Sequence, residues 1–287
     1  MKDDNVRLGF VGAGFVGGAM IRAFAQYNPM EVYDKGKGIG SLKGVAEFAD
    51  VIFVAVPTPM RQDGTCDTRI VLEVVEEVDQ AVQVAGREDE AVEVVIRSTV
   101  PPAFLTELWE LTKAIEVLYM PEFLTERTAD LDFINAPRYI IGTQNTNDPD
   151  QYPKTIQVFE QRFPRTRVVV MSYAEAALVK YGTNNFFTVK LSYFNEIYAT
   201  AVAYGADPDV VIEEILQDGR IGRSHYQVPG HDGDLGWGGH CFPKDNRAFA
   251  HIAGHDNIMV NAAWEVNELK RSKRDWEDQV GRTVSED

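Results

Sequence analysis

Over its first 171 residues the chain alternates between two hydrophobic rhythms. Short continuous apolar runs at 7–13, 30–34, 51–56, 92–97, 115–119, 139–142 and 167–171 read as strands buried on both faces. Between them, apolar residues recur every three or four positions over 15–27, 69–84, 103–113 and 152–162, the period of an amphipathic helix. Strands and helices in alternation predict a parallel sheet covered on both faces, with ligands held beyond the carboxyl ends of the strands. Those ends run into Pro57-Thr58-Pro59, Ser98-Thr99-Val100-Pro101-Pro102 and Pro121-Glu122-Phe123-Leu124-Thr125-Glu126, where proline stops the strand.

From residue 172 the strand-like runs disappear. Ser172 and Glu175 have the spacing of a capping box, and Leu178, Tyr181, Phe187, Leu191, Phe194 and Tyr198 carry a helical stripe as far as Gly205. The stripe predicts one helix over 172–204, with more apolar surface than one domain face needs, and hence a subunit contact. Lys180 and Asn184 share a face of it. They read either as a surface lysine and a tolerated asparagine, or as functional groups beside something that packs closely at Gly182-Thr183. Shorter helices are expected at 209–218, 246–253 and 258–273, and the charged tail 268–287 is expected to fray.

Two stretches carry candidate chemistry. Gly12-x-Gly14-x-x-Gly17 sits between the first strand and the first helix, the context in which glycines bring a backbone onto a dinucleotide pyrophosphate. Asp34, 22 positions after Gly12, ends the second strand where a carboxylate would take the ribose hydroxyls of NAD and repel the extra phosphate of NADP; alternatively it is a turn residue ahead of Lys35-Gly36. The fold class expected is therefore α/β: a Rossmann-like doubly wound parallel sheet (1–171), the long helix (172–204) and a small all-α domain (205–287).

The second stretch is Gly236-Trp237-Gly238-Gly239-His240-Cys241-Phe242-Pro243-Lys244-Asp245. A helix starting near Phe242 would put Cys241 at its N-terminus, where the dipole and a lysine favour a thiolate nucleophile; a small buried thiol is the plainer alternative. The glycine amides could form a nest for an anion. Glu122 and Glu126 are either solvated loop acids or, in a closed cleft, acids able to handle a water.

Composition narrows the partners. A formal net charge of −16 without a basic block argues against nucleic acid and anionic membranes. No apolar run reaches spanning length, and Met1-Lys2-Asp3-Asp4 is no signal peptide, so a soluble, cytoplasmic protein is expected. Two cysteines make no disulfide framework, with Cys66 an incidental loop thiol, and His251 and His255 lack a third ligand, so no metal is expected.

Taken together, these pieces resemble the nucleotide-sugar 6-dehydrogenase family. The resemblance rests on 12–17, Ala49-Asp50 through Pro59, Asp63-Gly64, Ser98-Thr99-Val100-Pro101, Pro121-Glu122-Phe123-Leu124 with Glu126, Lys180 with Asn184, Arg220-Ile221-Gly222 and 236–245, all in the family's order. It implies an NAD-dependent oxidation of a nucleotide sugar, most like UDP-glucose, by a homodimer built on the long helix. Implied catalytic groups are Cys241 as nucleophile, Lys180, Asp245 and Asn184 around it, and Thr99 and Glu122 handling a water. Implied cofactor contacts are Gly12, Gly14, Phe15, Val16, Gly17, Asp34, Lys35, Pro57, Thr58, Ser98, Thr99, Glu126 and Lys244. Implied substrate contacts are Glu122, Phe123, Leu124, Lys180, Asn184, Arg220, Tyr226, Gly236, Trp237 and Gly238.

The chain departs from the family pattern in four places. Only 15 residues separate Asp34 from Asp50, and Met120 stands where the family commonly has asparagine. The third, nucleotide-gripping domain is not expected. His231-Asp232-Gly233-Asp234-Leu235 is extra, a loop that could cover the nucleotide. Other nucleotide sugars, a single-step β-hydroxyacid dehydrogenase and a non-catalytic NAD module remain as alternative functions.

Overall fold

A computed structural model of the chain describes residues 5–144, 146, 153–254 and 257–286, so His255 and residue 152 lie outside the described residues. The chain forms two compact units. One comprises Met1–Thr58 and Thr68–Lys180; the other comprises Pro59–Asp67 and Tyr181–Asp287.

The first unit is a seven-stranded sheet between two helical layers. Its strands are β1 (Leu8–Val11), β2 (Met30–Tyr33), β3 (Val51–Val54), β4 (Val92–Ile96), β5 (Ile115–Tyr119), β6 (Arg138–Thr143) and β7 (Arg167–Ser172), ordered β2-β1-β3-β4-β5-β6-β7. Four of them, β1, β3, β4 and β5, are apolar almost throughout because they are covered on both sides. The expectation of a wholly parallel sheet needs one correction: β6 runs antiparallel to β5, pairing Tyr119 with Gly142, and β7 then runs parallel to β6. An apolar run carries no sign of its direction, so the reversal was not legible in the pattern.

Helices α1 (Phe15–Phe24), α5 (Ala129–Ile134) and α6 (Lys154–Arg162) pack on one face through Met20, Phe24, Phe133 and Phe159. Helices α2 (Leu42–Phe48), α3 (Arg69–Val84) and α4 (Pro102–Leu111), with the start of α7 (Tyr173–Ala203), cover the other. Along α3, Val71, Val75, Val78 and Val82 are fully buried at helical spacing. At roughly 1.5–3 kcal/mol per side chain they contribute about 6–12 kcal/mol of hydrophobic transfer energy. Strand order reverses at β1, and the loops after β1 and β3 open beside that switch point.

Helix α7 opens with the predicted box: Ser172 N–H donates to Glu175 Oε2 at 2.8 Å and Glu175 N–H to Ser172 Oγ at 3.3 Å. Its continuation in the second unit corrects the stripe. Tyr181 and Phe194 are buried within the unit, whereas Phe186, Tyr193 and Val202 are exposed. A Cβ on Gly182 would meet no atom within 4 Å, so close packing does not explain that glycine.

The second unit adds α8 (Pro208–Leu216), α9 (Phe242–Ala253) and α10 (Ile258–Lys270). The tail is packed, contrary to the expected fraying: Trp276 is 2% exposed and Thr283 0%. Met60 N–H donates to Thr283 O at 2.7 Å and Ser285 N–H to Met60 O at 2.8 Å, so the tail pairs with the 59–67 segment. A high charge density misled because the segment is anchored by Trp276, by these backbone bonds and by Arg271 and Asp275, whose charges are paired inside the unit.

Candidate active site

In the first unit the glycine loop has the geometry of a pyrophosphate cradle. Gly12 has φ +92°, and a Cβ there would lie 2.3 Å from Ala55 O; a Cβ on Gly17 would lie 2.0 Å from Gly12 O. Gly14 differs: it is exposed, and a Cβ would meet nothing within 4 Å. It caps α1 without any side-chain acceptor, so the helix N-terminus, flanked by Phe15 and Val16, can take an anion. Asp34 Oδ2 accepts from Ala13 N–H at 2.8 Å and Oδ1 from Lys37 N–H at 2.9 Å. Burial works against its charge, but these bonds and the Lys37 ammonium hold the carboxyl below its ordinary value. Lys35 is exposed, and it is Lys37 that reaches the loop, donating to Ala13 O at 2.5 Å. These residues fit an NAD cofactor.

Of the other cofactor candidates in this unit, Ser98 is already engaged. Its Oγ donates to Val56 O at 2.6 Å and accepts Val56 N–H at 3.1 Å, tying down the strand end before Pro57 and Thr58. Thr99 is buried beside it, and Glu126 is exposed on a short 3-10 turn.

At the end of β5 lies a buried charge cluster. Lys180 Nζ donates to Glu122 Oε1 at 2.8 Å, with side chains 2% and 7% exposed, and Glu122 Oε2 accepts Leu124 N–H at 2.7 Å. Burial pushes Glu122 up, yet Lys180, the Leu124 amide and Arg97 together hold it below the usual carboxylate range. Lys180 also sits over the Phe123 ring, 5.5 Å from its centroid. Arg97, which the sequence reading passed over, is buried and donates to Met120 O at 2.6 Å. Burial pushes its guanidinium down to about 10, opposed by Glu122, so it stays charged at neutral pH. Lys180 and Arg97 thus both face the Glu122 carboxylate, which concentrates positive charge of the kind that stabilises a developing oxyanion.

The second unit holds the thiol. Cys241 is the N-cap of α9, with Phe242 and Pro243 in the first turn and Asp245 N–H donating to Cys241 O at 2.9 Å. Lys244 Nζ pairs with Asp245 Oδ1 at 2.5 Å, and Asn184 Nδ2 donates to Asp245 Oδ2 at 2.6 Å, fixing that buried carboxylate on both oxygens. Burial lowers Lys244, but Asp245 and the thiols of Cys241 and Cys66 pull it above its ordinary value, so it is a full cation. Burial pushes the Cys66 thiol up to about 12, which keeps it protonated and distinguishes it from a nucleophile.

Two sequence expectations fail here. The amides of 236–239 do not form an open nest: Gly236 N–H donates to Asn195 Oδ1 at 2.7 Å, Trp237 N–H to Asn267 Oδ1 at 2.7 Å and Gly239 N–H to Asp275 Oδ2 at 2.9 Å. The glycines admit the protein's own side chains, since a Cβ on Gly238 would lie 2.3 Å from Asp275 Oδ1. Nor is the extra loop a free cover. Asp232 pairs with Arg271 at 2.6 Å, and Asp234 accepts Ser272 N–H at 3.0 Å and Lys273 N–H at 2.7 Å. Arg220 is 89% exposed and paired with Asp218, and Tyr226 packs beside Phe194. His251 Nε2 lies 2.6 Å from Asp63 O. Among the described residues no group of His, Cys, Asp or Glu could hold a metal ion, and no helix is long and apolar enough to cross a membrane.

Residues 38–161 match the NAD binding domain of the UDP-glucose/GDP-mannose dehydrogenase family, and residues 174–269 match its central domain. The chain belongs to this family. The glycine fingerprint precedes the first match, so its role as the start of that NAD-binding domain rests on the geometry above. UDP-glucose 6-dehydrogenase YwqF of Bacillus subtilis is 33% identical over 78% of this chain, and a UDP-glucose 6-dehydrogenase of Pseudomonas aeruginosa is 34% identical over 77%. The chain spans about half the length of these relatives, 50% and 48%. A UDP-glucose dehydrogenase from Pyrobaculum islandicum superposes with a TM-score of 0.78 at 28% identity, over 93% of this chain and 69% of that one.

Proposed function

We propose that the chain catalyses the NAD-dependent, four-electron oxidation of the C6 alcohol of a nucleotide sugar, with UDP-glucose to UDP-glucuronate as the first candidate. The observation that carries the proposal is Cys241 at the N-cap of α9, with Lys244 and an immobilised Asp245 in the first turn. The balance is RCH2OH + 2 NAD+ + H2O → RCOO− + 2 NADH + 3 H+. Bound NAD+ supplies the hydride acceptor, once for each two-electron step.

The protein residues divide the remaining work. Negative charge on the Cys241 sulfur is favoured by the helix dipole and by Lys244. That sulfur adds to the aldehyde formed in the first oxidation, giving a thiohemiacetal, which the second oxidation turns into a thioester. The family resemblance gives Lys180 the part of stabilising the oxyanion at each carbonyl stage, and within its own unit Arg97 adds positive charge beside the Lys180–Glu122 pair. Asp245, paired with Lys244 and oriented by Asn184, accepts a proton from the hydrolytic water; the family resemblance gives Thr99 and Glu122 a part in handling that water. Hydrolysis releases the acid and regenerates the thiol. The similarity of the relatives named UDP-glucose 6-dehydrogenase supports the substrate class. The exposed face of α7 at Phe186 and Tyr193 supports a two-fold dimer.

Stoichiometry tests the reading. Two NADH should form per acid, and Cys241→Ala should make no acid while NAD affinity stays within about twofold. One NADH per turnover, or acid formation by the alanine variant at the wild-type rate, would exclude the thioester route.

A further inference from the structure

The loop carrying Cys241 has no regular structure between Gly236 and His240, so its shape must come from side chains that hold its backbone. We propose that Asn267, on α10, is the positioning residue for this loop, gripping both main-chain polar groups of Trp237 with one carboxamide. Asn267 is 0% exposed; its Oδ1 accepts Trp237 N–H at 2.7 Å and its Nδ2 donates to Trp237 O at 2.9 Å. The approach is so close that a Cβ on Gly236, where φ is +71°, would lie 2.2 Å from Asn267 Oδ1. Asn195, 1% exposed, takes the neighbouring amide of Gly236, and the Trp237 indole donates to Ser192 Oγ at 2.9 Å. The loop is thereby fixed from α7 and α10 four residues before the thiol. Removing the Asn267 side chain would leave a buried N–H and a buried C=O without partners, a loss the loop can relieve only by moving.

The charged groups around this grip come from two directions. Arg271 and Asp275 follow Asn267 toward the tail, and Asp232 and Asp234 flank the start of the loop; α7 presents the neutral Asn195 and Ser192. The position of the loop does not depend on the reaction proposed above, whereas the effect on turnover rests on that reading.

Asn267→Ala and Asn267→Asp in the full chain separate the two. In Asn267→Ala, amide hydrogen exchange over 236–240 should accelerate on the order of tenfold relative to wild type, with the first unit unchanged. For a nucleotide sugar, kcat should fall by on the order of tenfold while KM for NAD stays within about twofold. In Asn267→Asp, a buried carboxylate facing Trp237 O should behave like alanine at high pH. Its protonated acid can donate to that carbonyl as the amide did, so protection relative to wild type should return as pH falls, and only in this variant. Wild-type exchange over 236–240 in Asn267→Ala, or no recovery of Asn267→Asp at low pH, would overturn the proposal; should Asn267→Ala fail to fold, the aspartate variant decides. If wild-type enzyme oxidises no nucleotide sugar, the catalytic reading fails while the exchange result still judges the grip.

Discussion

Replacing Lys180 by alanine isolates the buried charge cluster of the first unit. The Lys180–Glu122 pair is 2.8 Å long and its side chains are 2% and 7% exposed, so removing one partner strands a carboxylate away from water. Breaking such a pair costs about 3–5 kcal/mol, and the remaining charge on Arg97 places this case near 3. For a unit of this size that corresponds to a fall in Tm of roughly 6–12 °C at pH 7. The pH dependence has a definite sign. In wild type the Glu122 carboxyl lies below its unfolded value, so its contribution is present above about pH 4.3 and disappears as pH falls through the folded value. Without Lys180, burial raises the carboxyl instead, and the protonated form becomes tolerable in the folded state. The deficit should therefore shrink between about pH 7 and pH 4.5. Thermal unfolding of wild type, Lys180→Ala and Lys180→Met/Glu122→Gln, followed by calorimetry, measures it. The double variant removes both charges of the pair but leaves Arg97 without its carboxylate, so it should recover only part of the lost stability and form no NADH. A deficit below about 1 kcal/mol, or one constant across that pH range, would refute the reasoning.

Two further outcomes follow from single positions. Asp34→Ser removes the carboxylate held by Ala13 and Lys37 and leaves the Lys37 ammonium beside the glycine loop, so the ratio of kcat/KM for NAD over NADP should fall at least tenfold; an unchanged ratio would argue against Asp34 as the ribose ligand. Asp234→Ala removes the acceptor of two tail amides and the Ser272 hydroxyl, so it should raise proteolytic cleavage near 272–275 several-fold, and an unaltered digestion pattern would argue against the anchor.

The strands were legible because burial on both faces leaves an unmistakable apolar run, and each observed strand lies within two or three residues of its expected bounds. Helices α2 and α5 were not, since seven and six residues give too few turns for a period to show. The positions of the thiol at a helix start, of the glycines between strand and helix and of Asp34 after the second strand were legible because each is tied to residue type and spacing. What holds the thiol loop was not. Asn185, Thr188, Ser192 and Asn195 are buried polar residues at helical spacing on α7, a signal the apolar stripe concealed. The glycines of 236–239 were read as room for a ligand, although glycine records only that something comes close, and here it is Asn267 and Asp275.

The pairing of Met60 with Thr283 and Ser285 has a bearing on how the chain is made. Residues 59–67 are synthesised early, between stretches that fold into the sheet, but their backbone partners are more than two hundred residues away. Until 280–285 have been translated, this short segment must wait as an excursion from a nearly finished neighbour. Pairing of Met60 with Thr283 and Ser285 therefore closes a loop of more than two hundred residues, and steps of such long sequence separation come late and slowly. It follows too that a gene fragment starting at Tyr181 would encode every helix after the boundary and still lack a piece of the fold.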